Sequence, residues 1–271
     1  MAVINIEMIF DIVCAWCYIG KRTLDKAISI HQRTYPGGKN DIFNITLQPY
    51  YLNYTVVQSP DRSPRDVATA AAAAPTIDKQ ELAKTKLKHM SEQQKIALEQ
   101  RMNQIGSSVG IHFRSGGKIG STRAAHHLIH LAQLNDQKGN GQGASNASVA
   151  NALVARLFEA YHELEMDVSD RDALRKIAVD DDIALDSEAV GECLDFCFDA
   201  SSSSFASSVL VSDENGGKES IVDRRARENR LRTNTSVPMF IIQGEYRIDG
   251  AQDLMEFVEI FGKIRESTNS I

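Results

Sequence analysis

The chain has 271 residues, 42% hydrophobic and 24% charged, with a formal net charge of −6; these are the proportions of an ordinary folded domain large enough for a real core. No basic face dominates, which argues against a nucleic-acid partner. The first ten residues lack the features of a signal peptide, and no stretch approaches the roughly 18 apolar residues that cross a bilayer, so a cytoplasmic location without membrane contact is expected.

Residues 3 to 10 alternate, with Ile4, Ile6, Met8 and Phe10 on one face, and read as a strand. A turn through Asp11-Ile12-Val13 leads into a helix from Cys14 to about Arg33, ended by Pro36-Gly37-Gly38. A second strand is expected near residues 43 to 52, which completes a βαβ unit.

The middle of the chain changes character. Residues 59 to 66, with Pro60 and Pro64, read as a loop, and the Ala70 to Ala74 run as a helical turn or connector. One long polar helix is expected over 78 to 105, then helices at 121 to 134, 148 to 164, 170 to 179 and 186 to 199. The Asn-, Gln- and Gly-rich stretch 135 to 147 reads as a surface loop.

After a Ser-rich stretch (201 to 217, with a turn at Gly216-Gly217), a helix is predicted at 218 to 231. It carries Arg224-Arg225-Ala226-Arg227, read as a solvated face. A strand through Ser236 to Ile242, a short partner at Glu245 to Ile248 and a closing helix at 251 to 264 finish the chain. The predicted fold class is α/β: a discontinuous thioredoxin-like domain (1–58 and 201–271) of βαβ plus ββα, interrupted by an all-helical insertion (59–200).

Chemistry concentrates at Cys14-Ala15-Trp16-Cys17. The first cysteine of such a pair sits at a helix N-terminus, where the dipole and free N–H groups favour a thiolate, the attacking species. The second lies one turn in and is expected to be more buried. Cys14 is therefore read as the nucleophile and Cys17 as the resolving thiol, with Lys21 and Arg22 adding modest positive potential. Structural zinc needs four ligands and a second suitably spaced pair is missing, so no metal is assigned. Cys193 and Cys197, four apart on a predicted helix, read as small core residues.

The segment Phe10 to Lys21, FDIVCAWCYIGK, resembles the active-site segment of the DsbA-like thioredoxin superfamily and most closely its FrnE-like subgroup. Ser121 to Leu128 and Ser236 to Ile242, followed by Tyr246 and Gly250-Ala251-Gln252, are similar to further segments of that group. The similarity runs from about 4 to 262. It implies that Pro238 is cis and lies against the cysteine pair, with the backbone of Val237 pairing with a bound peptide or glutathione. Trp16 would cover the disulfide and offer a flat contact to substrate. His126 matches a histidine of the family segment and faces the cleft or is a satisfied buried residue. Asp223 lies where relatives contact glutathione or is a surface helix acid. Ala15 stands where the subgroup has proline, which leaves the redox direction open.

The resemblance therefore implies a thiol–disulfide oxidoreductase, in the subgroup's case linked to polyketide metabolism. No tightly bound cofactor is expected, and glutathione is the candidate co-substrate. The partner is a thiol or disulfide substrate or a small metabolite, and a homodimer is compatible. The alternative is a glutathione-dependent transferase or isomerase, related to kappa-class glutathione transferases and 2-hydroxychromene-2-carboxylate isomerases, with the insertion building a pocket for a small apolar substrate. A third reading is a redox-sensing or scaffold protein without turnover.

Overall fold

The computed structural model describes residues 1–52, 76–140, 148–199, 204–212, 218–234 and 236–269. The expected loop around Pro60 and Pro64, the Ala70–Ala74 run and the Gly216-Gly217 turn lie outside these residues.

Strand β1 (Val3–Phe10) is the heart of a four-stranded sheet of order β2-β1-β7-β8. It pairs parallel with β2 (Ile42–Pro49) and antiparallel with β7 (Met239–Ile242), which in turn pairs antiparallel with β8 (Tyr246–Asp249). The register sets Ile6 opposite Ile45 and Ile242, and Met8 opposite Leu47 and Phe240. All of these are buried, so a one-residue slip would turn the apolar set away from the core.

Helix α1 (Ala15–Thr34) packs along the closing helix α10 (Leu254–Asn269). An ionic cluster ties this end together. Asp41 receives the Ala2 N–H, pairs with His31 at 2.9 Å and forms an ion pair with Arg265. Burial pushes the Asp41 carboxyl up, but these three donors outweigh it and hold it below the usual carboxylate range.

The region between β2 and β7 is not all-helical as expected, since two short strands at Ile77–Asp78 and Lys118–Ile119 pair within it. Its helices depart from the expected layout in two places. The long helix expected over 78 to 105 is two helices, α2 (Lys79–Lys86) and α3 (Glu92–Ser108). Ser91 starts the second with a capping box: its hydroxyl accepts the Gln94 N–H, and the Gln94 side chain accepts the Ser91 N–H. Second, α4 (Arg123–Asn140) continues through 135 to 140, which composition assigned to a loop; 141 to 147 lie outside the described residues. In this added stretch Asp136 accepts the N–H groups of Val149 and Ala150, which supplements the Ser148 cap of α5 (Val149–His162).

Helices α6 (Arg171–Ala178) and α7 (Ser187–Phe198) follow as expected. The Ser-rich stretch contains α8 (Ser204–Val209), and β5 (Leu210–Ser212) pairs with β6 (Lys218–Ser220). Helix α9 (Ile221–Arg232) packs against β2 and, more lightly, α4. From α4, Gln133 accepts the Leu47 N–H and donates to the Leu47 carbonyl, so it serves the open edge of β2 as a neighbouring strand would. The arginines of α9 do not form a purely solvated face. Arg227 bonds Glu219 at 2.7 Å, and Arg224 donates to the Ser212 carbonyl. The short strands β3 (Ile77–Asp78) and β4 (Lys118–Ile119) pair beside α2. Among the described residues no helix is long and apolar enough to cross a membrane.

Candidate active site around Cys14 and Cys17

Strand β1 delivers the chain to Asp11, whose carbonyl accepts the Cys14 N–H at 3.2 Å. Cys14 is then the N-cap of α1, in extended conformation, and its carbonyl accepts the N–H groups of Cys17 and Tyr18. That backbone shape would also accept a following proline, so the alanine at 15 does not alter the turn.

Both cysteines are free thiols, Cys14 9% exposed and Cys17 0%. The Cys17 thiol donates to the Cys14 sulfur and is the largest influence on it, lowering its pKa. Burial opposes, and the N–H groups of Cys17 and Trp16 add to the lowering. Burial, and then the Cys14 sulfur itself, push Cys17 well up. The two thiols are thus set apart as a stronger acid near the surface and a fully buried weaker one.

The segment before β7 completes the site. The Val237–Pro238 peptide is cis, and the Val237 carbonyl lies 3.8 Å from the Cys14 sulfur, which donates to it. Gly20 makes this approach possible. A Cβ there would stand 3.1 Å from the Pro238 ring and 3.1 Å from the Phe240 ring, closer than such contacts normally allow. Trp16 stands beside the pair, 40% exposed. Cys14, Trp16, Cys17, Val237 and Pro238 are therefore one site.

The other candidates fall elsewhere. His126 is 2% exposed and packs on Phe10 and Tyr51, so it does not face a cleft. Nor is it fully satisfied. Its Nε2 lies 3.4 Å from Asp11 Oδ1, and among the described residues neither atom has a hydrogen-bond partner. Asp223 is not a surface acid. Arg123 grips it with two parallel bonds, at 3.0 and 2.8 Å, and the Tyr51 hydroxyl donates to it at 2.9 Å. Burial raises its pKa, and Arg123 more than offsets that. Lys21 is 2% exposed and bonded to Asp25 at 2.6 Å, so its charge is matched on its own helix. Cys193 and Cys197 lie in the main core. Among the described residues no three His, Cys, Asp or Glu side chains gather as a metal site.

Three residues that composition and spacing did not single out shape the surroundings. His162, at the end of α5, donates from Nε2 to the Ile12 carbonyl at 2.9 Å, two residues before Cys14, and burial lowers its pKa to about 3. It stacks on Tyr18, whose hydroxyl donates to Glu163 at 2.6 Å. The third, Lys79, opens α2 and donates to the Tyr161 carbonyl at 2.5 Å, with its ammonium over the Tyr161 ring. Between α2, α3 and the start of α1 lies a cleft of about 870 Å³, lined by Val13 and Ala15 on either side of Cys14 and by His162 and Tyr161.

With this geometry in hand, the sequence matches the profile of the DsbA-like thioredoxin domain over residues 5–262. No curated protein matches it. Among solved structures it is similar to a "probable DsbA oxidoreductase" from Streptomyces coelicolor, at 22% identity and TM-score 0.65, over 97% of this chain and 90% of that one. It is also similar to a 2-hydroxychromene-2-carboxylate isomerase, at 14% identity and TM-score 0.56, over 98% of each chain. At these identities the two structures speak for the thioredoxin-like fold.

Proposed function

Starting from the fact that the chain belongs to the DsbA-like thioredoxin family, we propose that it is a thiol–disulfide oxidoreductase acting through Cys14 and Cys17. The observation that carries this reading is the placement of Cys14 at the head of α1, one turn before the buried Cys17, with the carbonyl of the cis Val237–Pro238 peptide 3.8 Å from its sulfur.

The Cys14 thiolate attacks one sulfur of a substrate disulfide. A bond forms between Cys14 and that sulfur, the substrate S–S bond breaks, and the other substrate sulfur leaves as thiolate. Cys17 then loses its proton and attacks the Cys14 sulfur, which releases the second substrate thiolate and closes the Cys14–Cys17 disulfide. Two electrons pass from the dithiol to the substrate. Two molecules of glutathione return the pair to the dithiol and leave as glutathione disulfide; the reverse sequence oxidises a dithiol substrate. Val237 and Pro238 hold the incoming chain beside Cys14, and Trp16 supplies a flat apolar contact. The N–H groups at the head of α1 stabilise the thiolate as attacker and as leaving group.

A second reading, a glutathione-dependent transferase or isomerase, draws on the cleft beside Val13 and Ala15, which is of a size that takes a small molecule. Steady-state turnover separates the readings. Bis(2-hydroxyethyl) disulfide with glutathione should be reduced catalytically by the wild type and not by Cys14→Ser. A rate at the uncatalysed level with the wild type would remove the oxidoreductase reading, and with it any role beyond sensing for the pair.

A further inference from the structure

Helices α2 and α3 are poorly covered. Only Gly106 is fully buried across the two of them. Met102 and Ile105 pack on the main core, while Leu82, Leu87, Leu98 and Met102 line the cleft together with Phe113 from the following segment. Such side chains leave an apolar wall that a ligand can cover.

The charges on the same cleft have one prevailing sign. Lys79, Lys84, Lys86, Lys95 and Arg114 line it, against Glu92 and Glu99. Lys95 is spent on Glu92 at 2.7 Å. Among the described residues Lys79, Lys84, Lys86 and Arg114 form no ion pair. Lys79 stands apart from the others because it is half-buried, with its ammonium 3.5 Å from the centre of the Tyr161 ring. Burial lowers its pKa to about 8, opposed by Glu165 and Asp167 at longer range. A partly desolvated cation beside an apolar wall gains most from an anion that arrives with an apolar body.

We propose that this cleft binds a small amphipathic acid, its carboxylate or sulfonate on Lys79 and its apolar body against Leu82, Leu87, Met102 and Phe113. Val13 and Ala15, the chain neighbours of Cys14, form part of the wall, so a molecule seated there lies against the segment that carries the attacking cysteine. That such an acid is the thiol centre's own substrate rests on the oxidoreductase or transferase reading above. The binding itself does not.

The test uses the full-length reduced protein and two probes of equal shape, 2-naphthoate and its neutral amide, titrated by calorimetry. The acid should bind about tenfold more tightly than the amide. Lys79→Met should abolish that preference and leave amide affinity unchanged, which also reports that the cleft is intact. Met102→Trp, filling the cleft, should weaken both probes about tenfold. Equal binding of acid and amide by the wild type, a preference that survives Lys79→Met, binding indifferent to Met102→Trp, or no binding of either probe would each overturn the proposal. Naphthoate binding with these signatures in a protein whose cysteines prove redox-inert would keep the cleft and discard the thiol chemistry, so the two failures are distinct.

Discussion

The Cys17 thiol lies against the sulfur of Cys14, and this contact together with the complete burial of Cys17 makes the two cysteines unequal acids. Cys14 has a lowered pKa and some solvent exposure; Cys17 has neither. In the reduced protein, iodoacetamide should therefore label Cys14 first, with a rate that rises at a pH below the ordinary thiol range. Cys17→Ala removes the donor and should move that profile upward. Labelling of Cys17 ahead of Cys14 would contradict the assignment of roles.

Gly20 holds α1 against the cis-proline segment. Gly20→Ala inserts a methyl group that Pro238 and Phe240 must move aside to admit, at a cost of about 1–3 kcal/mol. Because Val237 lies in that segment, disulfide exchange should slow by more than the loss of folded protein explains. Stopped-flow exchange at a temperature where the variant is fully folded makes the comparison.

Arg123 is buried and holds the half-buried Asp223 by two-point contact. Asp223→Ala leaves the guanidinium buried without its counter-charge and should destabilise the fold by about 3–5 kcal/mol, read by urea unfolding. Replacing both residues by apolar ones should recover much of the loss. A near-neutral Asp223→Ala would return this residue to the role of a ligand contact.

His162 and His130 titrate at about 3 and about 4 in the folded chain, chiefly because burial disfavours their charged form. Both folded values lie below the unfolded one, so between roughly pH 6.5 and 4 the unfolded chain binds more protons and stability falls as the pH falls. Each histidine contributes a slope of at most about 1.4 kcal/mol per pH unit in that window. His162→Gln keeps a donor for the Ile12 carbonyl and should flatten the slope, measured from urea midpoints across this range. An unchanged slope would mean that His162 is solvated or charged.

The sheet and α1 were legible in the sequence because period-two alternation over Ile4 to Phe10 and the helix-opening cysteine are local signals. The helical middle was legible less well. Ser91 and Gln94 spell a capping box, but a polar stretch on both sides hid the break between α2 and α3. Asp136 and its neighbours looked like loop because the cap they provide serves another helix, 13 residues on. At the site, the cysteines and the Val237–Pro238 segment follow motif and resemblance. Asp223 and His126 do not, because their environment depends on Arg123, Tyr51 and Asp11, which only the fold brings together. Lys79 carried no signal of its own, since one lysine in a polar helix looks like any other until Tyr161 is placed beneath it.

The central claim is that Cys14 and Cys17 form a working redox pair, and equilibration in glutathione buffers tests it most directly. The protein is quenched by alkylation and read by mass spectrometry, with Cys17→Ser as the control. The account predicts a reversible Cys14–Cys17 disulfide over a defined span of buffer potential, and a glutathione adduct on Cys14 in the control. A pair that stays reduced across that span, while glutathione binds without exchange, would contradict it.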